Sequence, residues 1–282
     1  MSEVTSYLFE TKALKICPEN KPFWYTSGKI GPYFINTHFI YGSEQEASDL
    51  LKFIDVEKEN KQEMPKKIFE RTMNQYKTNK IYKTVIDEMI QKIKENISIE
   101  EIDFISGGER RDWFFSYAIS NLLGKPHITI FKDLSTVITD DNGNKIDAEV
   151  VNKKVLHTAD LITEASSYIR AWIPAIKNLG AKICWSIAVV DRMQGGKDKL
   201  EAEGIKSLEI IKVDNDLFNE AYKLNIISKE QLDMLIKFKA NPDETMRNFL
   251  IAHPEFLDEA LKSDEKTAGR AKLCVDGNLY NL

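Results

Sequence analysis

KVLHTADLITEASS, residues 154–167, decides the fold. A mostly apolar, β-rich run ends at Asp160. A short loop follows, and the small hydroxyl residues Ser166 and Ser167 open an amphipathic segment. This is strand, loop, helix, with the polar residues gathered where the strand stops. The same alternation continues on both sides. Strands are expected at 102–106, 127–131, 182–190 and 207–213, and helices at 110–123, 165–179 and 196–203. Strands that alternate with helices need crossover connections, which gives a parallel sheet covered on both faces. Gly124 and Gly180 each stand where a helix must stop before a strand, a place suited to a left-handed cap.

Outside this core the patterns change. Residues 3–15 have helical spacing, through Val4, Tyr7, Leu8 and Leu14. Two aromatic and β-branched runs flank Ser27-Gly28-Lys29-Ile30-Gly31, a hairpin signal. Residues 44–96 are helical and highly charged, with a start at Met64-Pro65 and a weak point at 77–80. Their ordinary reading is packing helices with a solvated Lys/Glu face. Asp141-Asn142-Gly143-Asn144 is a turn between two β-rich arms, an excursion expected to stand off the sheet, where it could move. Residues 214–282 are helical, with a capping box at Ser228–Gln231 and punctuation at Asn241-Pro242 and His253-Pro254. The expected divisions are an N-terminal helix and hairpin hood (1–42), a helical insert (43–100), an α/β core (101–213) and a C-terminal helical extension (214–282).

Bulk properties narrow the function. The chain has 282 residues, 43% hydrophobic and 29% charged, with a formal net charge of −5. No general affinity for nucleic acid or an anionic membrane follows from that balance. Cys17, Cys184 and Cys274 are far apart and share no CxxC spacing, so neither a disulfide framework nor a thiolate metal site is expected. The N-terminus lacks a signal-peptide pattern, and no stretch is apolar enough to span a bilayer. A cytoplasmic setting is the expectation. HExxH, GxSxG and a nucleophile-base pair are absent, as is GxGxxG after the strands, which disfavours a metal-only hydrolase and a dinucleotide enzyme.

Three loops can carry chemistry, because ligands of parallel sheets sit beyond the C-terminal strand ends. Exposed amides and hydroxyls after Asp160 suit a phosphate, although Ser and Thr there are more often plain N-caps. Asp160 can accept from sugar hydroxyls or hold a hydrated cation. Ser106-Gly107-Gly108-Glu109-Arg110-Arg111 offers close backbone approach and two guanidinium groups for a diphosphate; its plain reading is a tight turn with solvent-facing arginines. Lys29 stands at the hairpin turn, where a lone lysine is usually just solvated. His157 lies within an apolar strand and is expected to be packed rather than basic.

In this order the loops resemble the orotate phosphoribosyltransferases, a family with the type I phosphoribosyltransferase fold. The resemblance rests on TSGKIGPYFIN (26–36), DFISGGERR (103–111), TIFKD (129–133), VLHTADLITEASS (155–167) and GAKICWSIAVVDRMQGG (180–196). It covers roughly residues 20–42 and 101–213. It implies a doubly wound, mostly parallel α/β sheet. It also implies transfer of ribose 5-phosphate from phosphoribosyl pyrophosphate to a pyrimidine-like base, with Mg²⁺ bound mainly through substrate oxygens. Thr163, Glu164, Ala165, Ser166 and Ser167 would form the 5′-phosphate loop, and Asp160 would meet the ribose. Lys29, Arg111 and Lys132 would meet the pyrophosphate, Phe34 and Ile35 the base, and Arg192 its carboxylate or carbonyl edge. A homodimer is implied as well.

Several positions depart from the family pattern. Ala159 replaces the first acid of a pair, Ala165 a loop glycine, Phe131 an arginine and Asp112 a glycine. Glu164 brings a carboxylate to a phosphate loop, and Ser135 and Val137 stand where basic residues of a mobile loop belong. These departures motivate a second reading, a non-catalytic nucleotide- or phosphate-binding protein on the same fold.

Overall fold

The computed structural model describes residues 2–282. In chain order, α1 (Glu3–Glu10) leads to β1 (Leu14–Ile16), β2 (Phe23–Trp24), β3 (Ile30–Gly31) and β4 (Tyr33–Ile35). Three helices follow: α2 (Glu44–Glu57), α3 (Met64–Thr78) and α4 (Lys80–Asn96). Next come β5 (Phe104–Gly108), α5 (Trp113–Leu123), β6 (His127–Ile130), β7 (Thr136–Thr139) and β8 (Lys154–Ile162). Then α6 (Ile173–Asn178), β9 (Lys182–Asp191), α7 (Gly196–Ala202) and β10 (Lys206–Lys212) complete the alternation. The chain ends with α8 (Asn215–Lys223), α9 (Lys229–Ala240), α10 (Pro242–Ala252), α11 (Pro254–Leu261) and α12 (Glu265–Asp276).

Two compact units result. One contains residues 2–13 and 37–213, the other residues 14–36 and 214–282. The first is built on a six-stranded sheet in the order β10-β9-β8-β5-β6-β7, parallel except for β7. This is the expected doubly wound α/β core. Its central strands are buried along nearly their whole length, as a sheet covered on both faces requires. Side chains alternate between faces. Val155 and Ala159 of β8 join Tyr168, Trp172 and Ile176 in one apolar cluster, while α4 and α5 pack against the same sheet. Tyr82, Val85, Ile86, Met89, Ile90 and Ile93 form the buried stripe of α4 at helical spacing. The weak point at 77–80 is a true break, where Asn79 caps α4 by accepting from Tyr82 N.

In the second unit β1 pairs with β4 and β2 with β3, both antiparallel. The expected hairpin is therefore present, and the capping box at Ser228 and Gln231 opens α9.

The structure corrects three expectations. The first helix ends at Glu10, and Lys12 turns the chain at φ 59°, which frees Leu14 to pair with Ile35. The helix expected at 165–179 begins with a wide π turn over Tyr168–Trp172. Pro174 has no N–H to give, and Ile173 N reaches back to Tyr168 O instead. The excursion after β6 does not stand off the sheet. Its first arm, β7, closes the sheet edge by antiparallel pairing with β6. A tight return through Leu134, whose N–H donates to Phe131 O, aims the chain back, and burial of Val137 holds it there. Gly143, at φ 76°, turns beyond it against Phe69 of α3. Among the described residues no helix is long and apolar enough to cross a membrane.

Candidate active site at the parting of the central strands

The first strand of the core, β5, lies in the middle of the sheet. The chain moves outward to β6 on one side and then returns to β8 on the other. That reversal makes the β5/β8 seam a topological switch point, where a crevice opens beyond the strand ends. The β5–β8 pairing runs from Phe104↔Val155 to Gly107↔Thr158 and then stops. A cavity of about 500 Å³ occupies this place. One wall is Glu109–Asp112 with Lys132; the other is Thr163–Tyr168 with Trp172; Ala159, Asp160 and Leu161 lie between them.

The phosphate-like wall is a turn of backbone. Ala165 adopts φ 54° and Thr163 O accepts from Gly196 N at 3.0 Å. A left-handed conformation costs a non-glycine residue about 1–2 kcal/mol, so the surrounding packing enforces this shape. Ala165 is buried and belongs to the apolar core cluster as well as to the cavity wall. Glu164 is exposed, and its carboxylate reaches outward to Lys199 Nζ at 3.3 Å. It does not plug the loop. Exposed pairs of this kind contribute about 0–1 kcal/mol. Glu164→Gln is accordingly expected to change phosphate affinity by less than about threefold, measured by calorimetry, because a screened outward charge couples weakly.

The opposite wall is more heavily tied down. Arg110, one of two arginines expected to face a diphosphate, is instead ion-paired to Asp55 of α2. The partner comes from the helical insert, which nothing local in the sequence announces. Glu109 Oε2 accepts from Lys132 N at 2.9 Å. Arg111 and Lys132 are exposed at the cavity. Phe131 is buried edge-on to Trp113. The Glu109–Arg110 peptide is cis.

Beneath the walls lies a buried polar cluster. Asp112 Oδ1 accepts from Asp160 N and Oδ2 from Gly108 N, each at 3.1 Å. His157 Nε2 is 3.4 Å from the same Oδ2, and its Nδ1 is 2.9 Å from Ser106 Oγ. His157 is fully buried between Tyr168 and Trp172, as a packed strand residue. Burial, and then the Asp112 charge, push the Asp160 carboxyl up to about 7; Arg111 opposes the rise. A carboxyl displaced upward in a cleft is a candidate functional group.

The cavity thus gathers Arg111, Lys132, Asp160, Thr163, Glu164, Ala165, Ser166 and Ser167. Arg192 is not among the lining residues; its backbone N–H donates to Ile162 O at 2.9 Å. Lys29, Phe34 and Ile35 belong to the other unit. There Lys29 Nζ binds both Asp243 oxygens at 2.7 and 2.8 Å, Phe34 packs on Phe23 and Tyr25, and Ile35 pairs with Leu14. Trp172, Tyr168 and the bracing role of Asp112 escaped the sequence reading. Their signal is tertiary: all three gain meaning only when α5 and the π turn meet β8.

No family model matches the sequence. Over 138 residues the chain is 31% identical to the orotate phosphoribosyltransferase of Pyrococcus abyssi, covering 49% of this chain and 72% of that one. The chain belongs to the orotate phosphoribosyltransferase family. A further member, from Sulfolobus acidocaldarius, is 29% identical over 90 residues, a match that spans 32% of this chain and 45% of that protein. The crystal structure of the Francisella tularensis orotate phosphoribosyltransferase superposes with a TM-score of 0.56 at 18% identity, covering 85% of this chain and 98% of that one. The shared fold is that of the type I phosphoribosyltransferases.

Proposed function

We propose that this member of the orotate phosphoribosyltransferase family transfers ribose 5-phosphate from phosphoribosyl pyrophosphate to a pyrimidine-like base. The observation that carries this reading is the open backbone turn at 163–168, directly beyond Asp160 at the switch point, with Glu164 drawn away from it. Free amides at a helix start favour a dianionic ester. In this reading Thr163, Ala165, Ser166 and Ser167 hold the 5′-phosphate and Asp160 accepts from the ribose hydroxyls. Arg111 and Lys132 face the diphosphate. The bond from C1 to the diphosphate oxygen breaks, and a bond from C1 to the base nitrogen forms. The wall cations stabilise the departing charge while the held phosphate keeps C1 in place. The family likeness gives Arg192 a role at the base's polar edge, and its roles for Lys29, Phe34 and Ile35, at the diphosphate and the base, remain expectations of that likeness.

Among the described residues no group of three or more His, Cys, Asp or Glu side chains is placed to hold a metal. In this reading, as the family likeness implies, Mg²⁺ would enter with the substrate and offset the charge of its oxygens. A cytosolic setting and a homodimer are carried as part of the same reading.

The commitment of Arg110 to Asp55 favours a second reading, nucleotide or phosphate binding without turnover. Purified protein with phosphoribosyl pyrophosphate, Mg²⁺ and a panel of orotate, uracil and cytosine separates the two. Release of pyrophosphate dependent on one base is the expected result. Binding of ribose 5-phosphate with no release from any base leaves the second reading. Binding of neither sugar phosphate removes both.

A further inference from the structure

Asp112 stands where the family pattern has a glycine, and the structure gives its carboxylate a defined seat. The β5–β8 ladder ends at Gly107↔Thr158. Just past that point the amides of Gly108 and Asp160 have no cross-strand acceptor in the ladder. Each donates to one oxygen of Asp112. Amides that converge at a strand seam are a natural catch for an anion. Here the anion is supplied by the chain itself, desolvated and backed by the His157 ring.

The charges of the two walls are unequal in consequence. On the Asp112 side the cations are Arg110, Arg111 and Lys132, against Glu109 and Asp112. Arg110 is neutralised by Asp55, so two acids oppose the two remaining cations. A diphosphate meets no net positive charge there. On the other wall Glu164 is held by Lys199, and the backbone turn faces the cavity unopposed.

We propose that Asp112 is a specificity-determining residue that sets the site against the diphosphate end of its ligand, so that affinity comes from the 5′-phosphate. This rests on the phosphoribosyl reading of the cavity. Specificity through an introduced like charge is a general device. It also means that pyrophosphate, once formed, leaves readily and inhibits poorly.

The test is calorimetry on the full chain with ribose 5-phosphate and with phosphoribosyl pyrophosphate, both with Mg²⁺. The wild type is expected to bind the two within about fivefold of each other. Asp112→Asn keeps the shape and removes the charge, but it keeps only one of the two acceptors, so the ratio of the two affinities is the readout. It is expected to tighten phosphoribosyl pyrophosphate by about tenfold or more while leaving ribose 5-phosphate nearly unchanged. Asp55→Asn, at an exposed position, releases Arg110 and should move the ratio the same way without touching the buried cluster. A wild type that prefers phosphoribosyl pyrophosphate by more than about fivefold overturns the proposal, as does an unchanged ratio in both variants. Failure of the wild type to bind ribose 5-phosphate is a different outcome: it removes the phosphoribosyl reading beneath the proposal.

Discussion

Gly108→Ala is expected to lower stability by about 3 kcal/mol and to abolish ribose 5-phosphate binding, since overpacking a closed core costs about 1–3 kcal/mol and here the obstacle is a ring. A Cβ on Gly108 would lie 2.3 Å from both Cε2 and Cζ2 of Trp172 and 2.7 Å from Cδ2. The three short approaches are all to the indole, so the ring must shift as a whole, and the cavity that it lines is the space open to it. The ring is also held from behind, stacked on His157 with centroids 6.1 Å apart. Trp172 closes the π turn that begins just after Ser167, so a displaced ring pulls on the phosphate loop itself. The need for glycine here is spatial, because Gly108 is not among the positive-φ glycines. Urea unfolding and calorimetry on the variant check both parts. A variant as stable as the wild type, with its ligand affinity intact, would show that Trp172 does not seal the seam.

The strands of the core were legible because a sheet buried on both faces needs near-continuous apolar runs, as in β8 and β9. The break at Asn79 and the cap at Gly124, found at φ 62°, were legible for a related reason: local chemistry determines them. The candidate phosphate loop was legible from Asp160 and the hydroxyls that follow. What escaped depends on contacts between distant residues. Arg110 is a free diphosphate donor in sequence and becomes an ion-pair partner only because α2 brings Asp55 to it. Glu164 carries no sign of its direction until Lys199 of α7 stands beside it. The excursion after β6 has two β-rich arms, yet only one finds an open edge to pair with, and the other is left without a ladder beyond the Thr139↔Lys145 bridge. Asp112 was visible as a departure from a glycine. That its two oxygens would bridge the parting strands was not, since the Gly108 amide is local to it but the Asp160 amide reaches it only when the sheet has formed.

Asp160→Asn is expected to stabilise the protein by about 2–4 kcal/mol near pH 8 and by little near pH 4, because each unit of pKa displacement corresponds to about 1.4 kcal/mol. Burial raises the Asp160 carboxyl from 3.8 to about 7, and the neighbouring Asp112 charge adds to the rise. The folded protein then holds a proton that the unfolded chain has already released. Between those two values the native state binds more protons, so stability falls as pH rises through the window. Below it both states are protonated and the penalty vanishes; above it the penalty is complete. An asparagine keeps the side chain's shape and never carries the charge. The wild-type melting temperature should therefore drop from about pH 4 to about pH 7 more steeply than that of the variant, and the two curves should converge at the acid end. Curves that run parallel across this range would mean that Asp160 is solvated or paired with a cation. The cost has a chemical counterpart. Once it ionises above about pH 7, a poorly solvated carboxylate at the cavity floor is a strong acceptor for ribose hydroxyls, so the ionisation that weakens the fold is the one that equips Asp160 to grip the sugar. Asp160→Asn should lose affinity for ribose 5-phosphate while it gains stability, a pairing of signs that a merely structural carboxyl would not produce.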